Sequence, residues 1–294
     1  MENMISVKYA SLIVFTLLFI FSHSISGASE KIKVAASFYP LAHFAGQVGG
    51  ENADVVNIMP AGAEPHEFEP TPRDIRKIYD SDIFLFHGAG LDPWAERVRI
   101  DLRKKGTSVL EMAEHIYSIQ SDPHIWLDPL LAIKEVEAIG DIFIDFDAVH
   151  TEAYRETSES YINQLNELHE RFVSGLKDCA ARDIIVSHNA FSYMAARYSL
   201  NVHAITGISP EEEPSPRKMV ELARLARQMN IKYIFFEELL TPRLAETIAG
   251  EVGAETLTLN PLGGLTMNKI NEGGTYISVM EDNLKNLRIA MECQ

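Results

Sequence analysis

The chain is expected to fold as an α/β protein of two lobes, each built on a parallel sheet, joined by one long rigid helix. Three features of its 294 residues predict this. Short β-branched and aromatic segments alternate with longer helical stretches. They fall into an early group and a late group. Between the groups lies a proline-free run whose apolar residues recur at helical spacing. Strands separated by helices pair in parallel, because each return to the sheet needs a crossover. The composition, 46% apolar and 23% charged, suits two modest cores rather than a disordered or fibrous chain.

The N-terminus departs from that average. Lys8 precedes an apolar run from Tyr9 to Phe21, broken by Ser11 and Thr16, and then small and polar residues from Ser22 to Ser29. That order predicts an export signal over residues 1–28, with Ser26-Gly27-Ala28 at the cleavage point. The apolar core is short for a bilayer span. Export places the protein in the periplasm or at the cell surface, soluble or held by an uncleaved N-terminal anchor. The cysteines are Cys179 and Cys293, neither near the signal, so no lipid-modified cysteine is expected. In an oxidising compartment the two can form one disulfide, but sequence alone does not bring them together.

Strands of the first lobe, residues 29–148, are expected at Ile32 to Ser37, Asp54 to Met59, Asp82 to His87 and Thr107 to Leu110. The linking helix follows over 149–179, with Gly175 its one glycine and Tyr161, Leu165, Leu168, Phe172 and Leu176 recurring at spacings of 4, 3, 4 and 4. About 30 helical residues would reach roughly 45 Å. The second lobe, residues 180–294, repeats the pattern with strands at Asp183 to Ser187, Asn201 to Thr206, Lys232 to Phe236 and Thr256 to Leu259. One helical connection is stiffer than several crossing strands, so ligand binding should bring small adjustments rather than wide closure.

The balance of 26 basic against 42 acidic residues leaves a formal charge of −16. Such a field disfavours phosphate backbones and favours cations, and solubility explains it equally well. No basic run suggests nucleic acid.

Of the ten histidines, three follow strands and sit among turn residues, where open α/β sheets place their sites. His66 lies in Met59-Pro60-Ala61-Gly62-Ala63-Glu64-Pro65-His66-Glu67-Phe68-Glu69-Pro70, framed by prolines that extend the backbone. His124 lies in Asp122-Pro123-His124-Ile125-Trp126-Leu127-Asp128-Pro129. His188 follows Ile184-Ile185-Val186 and opens Ser187-His188-Asn189-Ala190-Phe191. Neutral imidazole suits Zn²⁺, which usually takes four ligands. The plainer alternative is three histidines satisfied by backbone carbonyls, and spacing does not decide between them.

These segments resemble the zinc and manganese solute-binding proteins of ABC importers, the ZnuA/TroA-like metal receptors. The likeness runs through Ser37-Phe38-Tyr39-Pro40-Leu41, the three histidine segments and Gly88-Ala89-Gly90-Leu91-Asp92-Pro93-Trp94. It continues through Gly207-Ile208-Ser209-Pro210-Glu211-Glu212-Glu213-Pro214, Phe235-Phe236-Glu237-Glu238, Asn260-Pro261-Leu262-Gly263 and Tyr276-Ile277-Ser278-Val279-Met280. The resemblance implies two α/β lobes on one long helix with a metal between them. It implies His66 and His124 as ligands from the first lobe, His188 from the second, and delivery of the ion to the membrane permease of an ABC importer.

The fourth position departs from the pattern. Members with a carboxylate there have Asp where this chain has Asn260. The Asn260 carbonyl oxygen, a water, or a nearby acid such as Glu64 or Glu237 could take the place, and three histidines with water or Asn260 are favoured. A nitrogen-rich set argues for zinc over manganese, whose hard cation prefers oxygen. His188 argues the same way, since the resemblance implies Glu there in manganese-type members. The short, plain loop Glu114 to Ser121 pulls the other way, because zinc members often carry a histidine- and acid-rich loop there. Manganese or iron(II) is the alternative cargo.

The remaining motifs have plainer readings. His87 ends a strand and is expected to pack. His43, His150, His169 and His203 have no partner spacing, and Glu211 to Glu213 form a solvated loop. An exported zinc hydrolase would also need an open zinc site, but the chain has no His-Glu-x-x-His helix and no Gly-x-Ser-x-Gly turn. A receptor for a chelated cofactor would need a broad aromatic or basic cleft. An adhesion role leaves no mark in the sequence. The expectation is a monomeric, non-enzymatic metal receptor.

Overall fold

The computed structural model describes residues 30–116 and 122–294. The expected export signal at 1–28 lies outside them, as do residues 117–121 of the loop before His124. Among the described residues no helix is long and apolar enough to cross a membrane.

The first four strands are β1 (Ile32–Ala36), β2 (Ala53–Asn57), β3 (Ile83–Phe86) and β4 (Ser108–Glu111), which form one parallel sheet in the order β2-β1-β3-β4. Their crossovers are α1 (Tyr39–Gly49), α2 (Pro72–Tyr79) and α3 (Pro93–Lys105); α4 (Met112–His115) and α5 (Pro129–Phe146) follow β4. Proline stands in the first turn of α1, α2, α3 and α5, where its missing N–H goes unmissed and its fixed φ already suits a helix. Asp128 caps α5, its side chain accepting from the Leu130 N–H at 3.0 Å.

Helix α6 (Thr151–Gly175) then leads to β5 (Asp183–Val186), α7 (Ser192–Tyr198), β6 (Asn201–Ala204), α8 (Pro216–Gln228), β7 (Tyr233–Phe236), α9 (Arg243–Val252), β8 (Glu255–Thr258), α10 (Met267–Asn271) and α11 (Tyr276–Ala290). The second sheet, β6-β5-β7-β8, repeats the first in order and in parallel pairing.

Side chains alternate along the strands between two cores. Val34 and Ala36 of β1, with Ile184 and Val186 of β5, face the main cluster. There they meet Phe143 of α5, Leu165 and Phe172 of α6 and Leu287 of α11. Ala35 and Ile185 face two smaller clusters under the outer helices. The main cluster thus draws on both sheets and on α6. Each large apolar side chain buried there contributes about 1.5–3 kcal/mol, and Leu165→Ala would cost about 2–5 kcal/mol.

Helix α6 is shorter than its periodicity suggests. It has 25 residues, about 37 Å at 1.5 Å per residue, and a 3₁₀ turn over Ala148–His150 precedes it. At its last residue, Gly175, α11 comes close: a Cβ there would lie 3.2 Å from Leu284 Cδ1. The chain then turns to join Cys179 to Cys293 in a disulfide, closing a sequence separation of 114.

Candidate metal centre

His66 and His188 each lie in the segment after a strand, whereas α4 stands between β4 and His124. His66 sits in the loop between β2 and α2, where Gly62 turns the chain at φ 81°. That loop rests on the segment after β8. The Gly62 N–H donates to the Leu265 carbonyl at 2.9 Å, and a Cβ at Gly263 would stand 2.7 Å from Pro65 Cγ. His124 opens a 3₁₀ turn before α5, and His188 follows β5 directly.

The three side chains converge. His66 Nε2 lies 3.2 Å from His124 Nε2, which lies 3.2 Å from His188 Nε2. Among the described residues they form a group whose ligand atoms all lie within 4.8 Å of one another. Four donors set tetrahedrally at roughly 2.0–2.1 Å from zinc stand about 3.3–3.4 Å apart, so these nitrogens already have the spacing of a zinc coordination edge.

The far side of two rings explains their orientation. His124 Nδ1 meets Asp122 Oδ1 at 2.8 Å, and His188 Nδ1 meets Glu237 Oε1 at 2.6 Å. A carboxylate on Nδ1 holds the proton there and leaves the Nε2 lone pair facing the centre. Both carboxylates also accept the backbone N–H of the same histidine, at 3.0 Å for His124 and 3.3 Å for His188. Two lone pairs facing each other at 3.2 Å repel unless a cation stands between them, and the donor set therefore fits a divalent ion.

Protonation follows from burial and from these acids. Burial pushes His66 down to about 3, assisted by the neighbouring imidazoles. His124 is also lowered by burial, against the opposing pull of Asp122. Burial works against a charge on His188 too, but Glu237, Glu64 and Asp122 together outweigh it and raise its pKa above the usual 6.5. Of the three, His188 is thus the most disposed to take a proton, and His66 and His124 are disposed against it. Glu64, which accepts the His66 N–H at 3.2 Å, is pushed by burial to about 7.

Asn260 is engaged elsewhere. Its side-chain oxygen accepts the Leu262 N–H at 2.7 Å, and its backbone N–H and carbonyl are both bonded to the Asn283 amide, at 2.8 and 2.7 Å. The other described histidines have local surroundings of their own. His43 meets the Tyr161 hydroxyl, His169 the Tyr198 hydroxyl, His150 Asp147 and His203 Asp183. His87 is buried edge-on to Phe38 and Trp126. A cavity of about 610 Å³ lined by Ser187, Thr206, Glu211 and Arg243 contains none of the three histidines.

Two carboxylates had a readable signal whose role the sequence did not disclose. Asp122 stands two residues before His124, the spacing of an Asx turn that brings its oxygen to the histidine's own N–H. Glu237 directly follows β7, which pairs with β5, and only the sheet pairing sets it behind His188.

Twin parallel sheets and a cluster of imidazoles at their strand ends define the class: an α/β protein of the metal-receptor type. Residues 34–290 match the family model described as zinc-uptake complex component A, periplasmic, and the chain belongs to that family. It is 33% identical over 284 residues to the high-affinity zinc uptake system protein ZnuA of Bacillus subtilis (strain 168), covering 90% of this chain and 89% of that protein. It is 32% identical over 293 residues to the zinc-binding protein AdcA of Streptococcus pyogenes serotype M18, covering 90% of this chain and spanning 57% of the length of AdcA. Among solved structures, the Zn(II)-bound ZnuA-like domain of Streptococcus pneumoniae AdcA superposes with a TM-score of 0.81 at 35% identity, covering 89% of this chain and 99% of that one. The laminin-binding protein Lmb of Streptococcus agalactiae, described as a bifunctional protein with adhesin and metal transporting activity, superposes at 0.82 with 32% identity, covering 88% and 99%. The family is one of metal-uptake components, and nothing in these likenesses supports a hydrolase.

Proposed function

We propose that this chain captures a zinc ion outside the cytoplasm and hands it to the membrane permease of an ABC importer. His66, His124 and His188 are the ligands, and a water takes the fourth place because the Asn260 oxygen is committed to its turn. The ion lies between an N-terminal lobe, residues 29–148, and a C-terminal lobe, residues 180–294, connected through 149–179. The protein works as an exported monomer, with no lipid-modified cysteine. The observation that carries this reading is the convergence of three Nε2 atoms at zinc-edge spacing, two of them with Nδ1 held by a carboxylate.

Three imidazole nitrogens with one water favour zinc over manganese or iron(II), which prefer more oxygen. The same geometry gives Asp122 and Glu237 the work of orienting the two histidines through Nδ1.

The raised pKa makes His188 the ligand on which a proton competes most with zinc, whereas burial keeps His66 neutral. Affinity should therefore fall as pH drops through the raised His188 value and keep falling below it. A zinc titration that stays flat between about pH 7.5 and 5 would contradict this.

The direct test is the metal content of protein purified without chelators, alongside His66→Ala, His124→Ala and His188→Ala. One equivalent of zinc is expected, weakened by about two orders of magnitude per lost ligand and resistant to excess manganese. Displacement by manganese would overturn the choice of ion. No bound metal under any loading condition would remove the proposal.

A further inference from the structure

The three histidines are not held alike. His124 belongs by sequence to the first group of elements, yet its segment is fastened by side chains of the second. The Tyr193 hydroxyl donates to the Asp122 carbonyl at 2.9 Å. The Trp126 indole donates to the Pro261 carbonyl at 2.7 Å, and the Trp126 carbonyl accepts from the Tyr276 hydroxyl at 2.5 Å. Arg197 of α7 donates through Nε and Nη2 to Asp128 Oδ2, at 2.9 and 2.8 Å. Asp128 is 2% exposed, so this charged contact is largely withdrawn from solvent on the carboxylate side. These anchors bracket His124 from Asp122 to Asp128. His188 lies a few residues before α7, whose residues Tyr193 and Arg197 supply two of them.

His66 is held more loosely. It is only half-buried, while His124 and His188 are buried. Among the described residues no carboxylate meets its Nδ1. Its loop meets the second group through a backbone bond from Gly62 to Leu265 and through the packing of Pro65 on Gly263 and of Met59 and Ala63 on Gly264, with no charged contact like that of Asp128 among them.

We propose that Arg197, through Asp128, is a positioning residue that clasps the His124 segment to α7, so that His124 and His188 move as one fixed pair and His66 is the ligand that parts from them when the ion is released. This rests on the three-histidine reading above. Release then requires one ligand-bearing loop to move, and the two carboxylate-backed histidines keep their geometry for the next ion.

Two readouts separate positioning from simple stabilisation: the rate at which zinc passes to excess EDTA, and the visible spectrum of the Co²⁺-loaded protein, which reports coordination geometry. Arg197→Ala should raise the zinc off-rate about tenfold, the lower end for removal of a partner that orients a ligand, and should weaken the tetrahedral Co²⁺ bands. Arg197→Lys restores a charge opposite Asp128 and should recover most of both. Asp128→Asn keeps an oxygen for the α5 cap while removing the charge, and should behave like Arg197→Ala. His66→Ala should still hold Co²⁺ on the remaining pair, with weakened bands, while His124→Ala and His188→Ala should hold none. If Arg197→Ala does not fold, Asp128→Asn and Arg197→Lys carry the test. Unchanged off-rate and spectrum in folded Arg197→Ala or Asp128→Asn, with wild-type zinc binding intact, would overturn the clasp alone. Failure of the wild type to bind zinc or Co²⁺ would overturn the three-histidine reading and the clasp with it.

Discussion

The two sheets share one strand order, and their strand ends can be compared position by position. Carrying the β1–β3 register two residues past Ala36–Leu85 pairs Phe38 with His87, and carrying β5–β7 three residues past Ile185–Ile234 pairs His188 with Glu237. The same crossing thus holds an imidazole against a phenyl ring in the first sheet and an imidazole on a carboxylate in the second. Burial lowers the His87 pKa to about 3, and the Pro123 carbonyl beside its ring and the more distant Asp122 only partly oppose that. His188 has its Nδ1 bonded to Glu237 and its pKa raised. Burial and a place at the strand end are common to both. The carboxylate behind the ring is what turns a packed histidine into an oriented donor.

The helices that follow the last strand of each sheet differ in the same way. Glu135 of α5 is fully buried with neither carboxyl oxygen partnered, whereas Asn283 of α11 makes two bonds to the Asn260 backbone. The second half is also the one closed by a disulfide.

The largest effect should come from that closure. Replacing both cysteines by serine should cost about 2–4 kcal/mol in denaturant unfolding, and the loss should appear in second-half amides by hydrogen exchange before the first sheet opens. Equal loss of protection in both sheets would show that the shared core makes them one cooperative unit.

Next is the carboxylate. Glu237→Gln should weaken zinc about 10–100-fold, or about 1.4–2.7 kcal/mol. It should also move the pH midpoint of binding downward, because the group that raises the His188 pKa loses its charge. An unchanged midpoint would remove Glu237 from that role.

The buried polar pair should respond with opposite signs. Asn283→Leu leaves the Asn260 N–H and carbonyl unpaired and should destabilise by about 1–3 kcal/mol, whereas Glu135→Leu should stabilise by a similar amount. Burial raises the Glu135 pKa well above its usual value, so in the folded state it keeps a proton that the unfolded chain releases above about 4.5. Stability is then lost as pH rises through the folded value, and the gain from Glu135→Leu should be larger at pH 8 than at pH 4. Thermal unfolding at the two pH values reads both.

The smallest effect belongs to His87. His87→Phe keeps the ring and gives up at most one bond to the Pro123 carbonyl, so zinc affinity should stay within about twofold and stability should change by less than about 1.5 kcal/mol. A tenfold loss of affinity by calorimetry would mean that the first-sheet crossing also serves the ion.

All eight strands stand within a residue or two of where β-branched runs and turn residues put them, and the inner strands β3, β5 and β7 are the most apolar, as a buried parallel strand requires. The long helix was legible from its spacing but not its end, which falls at Gly175, where α11 packs close. The segments of His66, His124 and His188 could be picked out because prolines and strand ends are local marks. What sequence could not supply was the 3.2 Å convergence, the joining of Cys179 to Cys293, the Asn260 turn bond, the Glu237 carboxylate behind His188 and the hold of Arg197 on Asp128. Apart from the local turn at Asn260, each of these joins residues 49 to 114 positions apart. Such contacts depend on how strands cross and helices pack, and local pattern carries no record of that.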